Sequence, residues 1–92
     1  MSRECTVIIA CGNVPADLGH EAAAGITNEF QQRGPRYFNA ICMFERGKLL
    51  LSCDNDGWDA DGLNLMDEFS DCLSAYLPPF DGNMKIVSIK RS

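Results

Sequence analysis

The densest run of side chains able to do chemistry is Asp54-Asn55-Asp56-Gly57-Trp58-Asp59-Ala60-Asp61-Gly62, followed by Asn64, Asp67 and Glu68. Hard cations take oxygen ligands of this kind, and calcium loops place a glycine at the sixth position and a bidentate glutamate at the twelfth. With Gly62 at the glycine position, Asp59 and Asp61 fall on the preceding ligand slots and Glu68 on the last one. Gly57 then takes the first slot without a side-chain oxygen, and Asn64 occupies a slot where such loops carry an apolar residue. The match to a metal loop is therefore partial, and no metal ligand is assigned. A simpler role fits the same residues: Asp59 or Asp61 caps the helix that follows, and acids in its first turn favour the positive end of its dipole.

Trp58 is the sole tryptophan and stands between acids rather than in an apolar run. Two readings follow. An exposed loop aromatic ringed by carboxylates suits a cationic partner or ligand; alternatively its ring folds back on the core edge, as large aromatics do. Under the first reading Trp58, Asp54, Asp56, Asp59 and Asp61 make a ligand or partner-binding surface, and the polar groups Tyr37 and Asn39 join the candidates. For an enzyme, Tyr37, Asn39, Cys11 and His20 are the groups to inspect in a pocket between sheet and helices. A Cys-His nucleophile requires the imidazole within about 3 Å of the sulfur. His20, one turn into a helix beside Ala23 and Ala24, reads as a surface histidine, and no catalytic residue is assigned.

These groups are positioned by five apolar segments. Residues 4–11 carry β-branched side chains and no polar face, the pattern of a central strand. After Gly12 and Asn13, Pro15 suits the first helical turn, and Leu18, Ala22, Ile26 and Phe30 form a stripe on a helix running to about Arg33. Gly19 and Gly25 weaken it, and Gly34-Pro35 supplies a left-handed cap and a stop. Residues 37–45 and 48–53 read as a hairpin around Arg46-Gly47. A second helical stripe joins Leu65, Met66, Phe69, Cys72, Leu73, Tyr76 and Leu77 and ends at Pro78-Pro79; Asp81-Gly82 turns the chain into a last strand over residues 84–89.

The order strand, helix, strand, strand, helix, strand resembles the ferredoxin-like, split βαβ architecture. That resemblance implies an α+β two-layer sandwich with an antiparallel sheet ordered 4-1-3-2, filling residues 1–92 as a single domain. Helices can cover one face of such a sheet. Phe38, Ala40, Cys42 and Phe44 supply one apolar side of the second strand, while Tyr37, Ile41 and Met43 make the other side apolar too. A solvated face should alternate cleanly with polar residues. The second face is therefore expected to be covered, by a homodimer partner or a bound ligand.

A net charge of -5 disfavours a nucleic-acid backbone as partner. Apolar runs fall far short of the roughly 20 residues of a membrane helix, and the first residues lack a secretory pattern. Five cysteines, an odd number with no Cys-x-x-Cys pair, read as free core residues of a cytoplasmic protein. Phosphate-binding glycine motifs are absent and no cofactor is called for. The sequence thus suggests a non-catalytic interaction or ligand-binding module, with a small enzyme or a calcium-like module as alternatives.

Overall fold

The computed structural model describes residues 4–78 and 83–91, so the expected Asp81-Gly82 turn and Pro79 lie outside the described residues. Six elements follow one another: β1 (Cys5–Cys11), α1 (Ala16–Gln31), β2 (Phe38–Glu45), β3 (Lys48–Asn55), α2 (Leu63–Tyr76) and β4 (Met84–Arg91). They form the α+β ferredoxin-like fold. All strand pairs are antiparallel and the sheet order is β2-β3-β1-β4, which read from the other edge is the expected 4-1-3-2.

β1 is central, and its alternation decides what lies on each side. Cys5, Val7, Ile9 and Cys11 point under the helices together with Leu49, Leu51, Cys53 and Asn55 of β3, which the register sets directly opposite. Ala22, Ile26 and Phe30 of α1 and Leu65, Phe69 and Leu73 of α2 close the other side of this layer. Each fully buried Leu, Ile or Phe contributes about 1.5–3 kcal/mol relative to exposure.

The two glycines that ought to weaken α1 are explained by packing. A Cβ on Gly19 would run into the Phe44 ring, and one on Gly25 into the Tyr76 ring. The helix gives up intrinsic propensity so that β2 and α2 come close. Two local expectations need correction. Pro15 precedes the helix, with its carbonyl accepting from Leu18 and Gly19 at 3.1 and 3.0 Å. The C-terminal cap is Gln32 in a right-handed conformation, not a left-handed Gly34, because the Gln32 and Arg33 N–H groups still reach the Glu29 and Phe30 carbonyls at 3.2 and 3.1 Å.

Arg46 and Gly47 have φ of 51° and 77°, the two-residue geometry that matches strand twist. α1 lies along β2 and occupies its free edge: the Thr27 hydroxyl accepts the Cys42 N–H at 2.8 Å, and the Gln31 amide donates to the Ala40 carbonyl at 3.5 Å. At the opposite edge β4 is irregular. Its register with β1 shifts between Ile8 and Ile9, so that Ile86 and Ser88 face consecutive β1 residues and Val87 is extra.

Candidate functional site

The acidic loop is held together from within by Asn55, which is fully buried. Its Oδ1 accepts from Gly57 N at 2.8 Å, and its Nδ2 donates to the Asp59 carbonyl at 3.1 Å. Asp59 is buried as well. Its Oδ2 accepts the Leu65 N–H at 2.9 Å and its Oδ1 the Asn64 N–H at 3.1 Å, two of the orphan donors at the start of α2. Asp61 accepts from Leu63 N at 3.2 Å and Asp56 from Trp58 N at 3.3 Å, both across local turns. The residues of the calcium-like register therefore have separate partners, and no group of three or more metal-binding side chains occurs among the described residues. Sequence reasoning overlooked Asn55; the signal was an Asn two residues before a glycine, the usual start of a side-chain-bonded turn.

Trp58 combines the two readings made of it. It remains 42% exposed, yet its indole N–H donates to the Arg36 carbonyl at 2.9 Å and its ring lies 5.4 Å from that of Tyr37. The Arg36 guanidinium stacks 4.8 Å above the Trp58 ring. Tyr37 is not on the outer sheet face, as its place in the strand pattern suggested. It precedes β2, is 2% exposed, and packs edge-on against Phe30 of α1. Its hydroxyl donates to Glu68 Oε2 at 2.7 Å, while Arg33 and Arg36 ion-pair with Glu68 at 3.0 and 3.4 Å. Burial, and then the Glu68 carboxylate beside it, push the Tyr37 phenol well above its ordinary range. An open hollow of 320 Å³ between Pro35, Arg36, Asp56 and Trp58 lies beside this cluster.

Asn39 and Asp54 are brought together on the other side of the sheet. Asn39 has φ of 53° where the β2–β3 register shifts, a left-handed conformation that Asn tolerates better than most residues. This aims its amide at Asp54, which accepts from Asn39 Nδ2 at 2.9 Å and from the Thr6 hydroxyl at 2.5 Å. Thus the sequence-selected residues fall into three places: Tyr37 and Trp58 at the loop rim, Asn39 and Asp54 on the outer face, and Asp56, Asp59 and Asp61 in turns.

The nucleophile candidates are unfavourable. Cys11 is buried, and His20 is exposed with its ring packed edge-on against Phe44 at 5.0 Å. Burial pushes the Cys42 and Cys53 thiols up to about 12 and raises those of Cys5 and Cys72. Thiolates are the reactive form, so these sulfurs suit packing rather than chemistry.

On the outer face, pairing aligns Ile41 and Met43 of β2, Leu50 and Ser52 of β3, Ile8 and Ala10 of β1, and Lys85 of β4, with Val87 at the irregularity. Ile41, Met43 and Val87 are 47%, 49% and 53% exposed. Both helices lie on the opposite side. Towards the hairpin end the face dips into a depression of 350 Å³ lined by Ala10, Glu45, Arg46, Lys48, Leu50, Lys85 and Val87. Sequence reasoning missed it because Lys85 reaches Lys48 only through the pairing of β4 and β3 with β1; outer-face positions counted strand by strand would have collected both lysines.

No family model matches the chain, and no curated protein matches it in sequence. Among solved structures, the crystal structure of MupZ from Pseudomonas fluorescens is similar, with a TM-score of 0.56 at 17% identity over 97% of this chain and 66% of that one. The chain spans just under two thirds of MupZ's length. A likeness at this identity speaks for the fold alone.

Proposed function

We infer that this chain is a non-catalytic binding module that works through the sheet face opposite its two helices. The observation that carries this reading is the exposure of Ile41, Met43 and Val87 around Ile8 and Leu50, on a face that neither α1 nor α2 covers among the described residues. Large apolar side chains exposed on one face of a folded domain suit a ligand or partner site. The cysteines pack in the core, and Tyr37, Arg33 and Arg36 are engaged with Glu68, which suits binding rather than a reaction on the helix side. Five free, buried thiols favour a reducing compartment such as the cytosol.

A second occupant of the same face is another copy of the chain. Ile41 and Met43, on the β2 half and outside the depression, favour it, and two-fold dimers are the commonest oligomers. Light scattering over a dilution series, paired with amide NMR mapping of added apolar probes, tests the reading. Self-association or probe shifts centred on Ile8, Ile41, Leu50 and Val87 support it. A concentration-independent monomer whose outer-face amides respond to no probe refutes it.

A further inference from the structure

The depression at the hairpin end of the outer face gathers cations in an acidic protein. Arg46, Lys48 and Lys85 surround a floor of Ala10, Leu50 and Val87, and a second hollow of 240 Å³ continues it past Gly12 and Asn83. The fold sets each cation in place. Lys85 and Leu50 both pair with Ala10 across β1, Lys48 faces Glu45 across the hairpin, and Arg46 occupies the first position of the left-handed turn.

None of the three cations forms an ion pair with another described residue; the arginines that do, Arg33 and Arg36, belong to the Glu68 cluster on the other side. Glu45 is the one acid among the lining residues. A chain with a net charge of -5 thus places three of its eight Lys and Arg around one apolar floor. Convergent positive charge over apolar walls selects for charge of opposite sign carried on an apolar body. The volume is at the lower end of the range typical of small-ligand sites, which runs from about 300 to 1,000 Å³.

The geometry points to a small amphipathic anion as the occupant: a carboxylate or phosphate monoester held by Arg46, Lys48 and Lys85, with a short aliphatic or aromatic body over Ala10, Leu50 and Val87. This assignment rests on the sheet-face reading and adds to it the charge and size of the ligand. It also gives Glu45 a definite role. Its carboxylate lowers the local potential, so neutralising it strengthens anion binding, a direction that loss of a structural contact would not produce.

The test is amide NMR of the isotope-labelled 92-residue chain titrated separately with octanoate, octyl phosphate, octanol and octylamine. Octanoate or octyl phosphate is expected to shift the amides of Ala10, Gly12, Leu50 and Val87, and the stronger of the two identifies the head group. Octanol binds less tightly, and octylamine least. The K48Q/K85Q variant, whose spectrum reports that it is folded, binds the anions about tenfold more weakly and octanol unchanged. E45Q binds them more tightly. Equal shifts from all four probes overturn the anionic class while leaving the sheet-face reading intact. No shift from any probe on the outer face, with a strict monomer in solution, overturns both.

Discussion

The buried Asp59 carboxylate accepts the Leu65 backbone N–H at 2.9 Å, six residues ahead along the chain. The loop between them folds back so that a charge is placed at the start of α2, where the helix dipole and orphan N–H groups stabilise it. Asp59→Ala removes the acceptor and leaves buried donors unpaired, so it is expected to cost about 2 kcal/mol. Asp61→Ala, which loses one exposed local contact, is expected to cost under about 0.5 kcal/mol. Urea unfolding followed by circular dichroism separates the two; equal effects would mean that Asp59 is not the dominant cap.

Tyr37→Phe deletes the hydroxyl that donates to Glu68 at 2.7 Å but keeps the ring packed on Phe30. The expected loss is about 1 kcal/mol, and Trp58 emission should change as its neighbouring network rearranges. A variant as stable as the parent, with unchanged emission, would show that the bond carries no weight.

Stability is expected to fall at alkaline pH through the buried thiols. Burial holds Cys42 and Cys53 at about 12 in the folded protein, against 9.0 for an ordinary thiol. The folded state therefore holds these protons longer than the unfolded chain does. Their contribution is complete below pH 9 and is lost as pH rises towards 12. Urea midpoints at pH 8 and pH 10.5 measure the slope, and it should be shallower in Cys42→Ala than in the parent, however much that substitution costs at pH 8. Thiol reagents should label these two cysteines only after unfolding.

Gly19→Ala is expected to destabilise, although alanine is the better helix former by about 1 kcal/mol. The new Cβ meets the Phe44 ring, which must move. Combining it with Phe44→Leu should recover part of the loss, and thermal melts of the single and double variants reveal the coupling. Additive effects would place the cost elsewhere.

Much of this architecture was legible in local patterning. β1 announced itself as central through apolar residues on both faces, and Leu65, Phe69, Cys72 and Leu73 marked the inner side of α2 by spacing alone. Tyr37 escapes the strand alternation because it precedes β2, in a segment whose orientation is set by Phe30 and Glu68 on different helices. The cationic depression was hidden for a related reason. Arg46 and Lys48 are near neighbours, but Lys85 joins them through a register that depends on β4, and β4 itself is irregular.

That irregularity bears on how copies of the chain meet under stress. β2 has its outward Cys42 and Ala40 groups engaged by Thr27 and Gln31, so β4 is the edge with room for another strand. There the extra Val87 breaks the even ladder that an incoming strand would need, and Lys85, Lys90 and Arg91 set like charges along any self-pairing edge. The sheet thereby resists growth into fibrils from its own margin, and its exposed apolar surface is offered broadside rather than end to end.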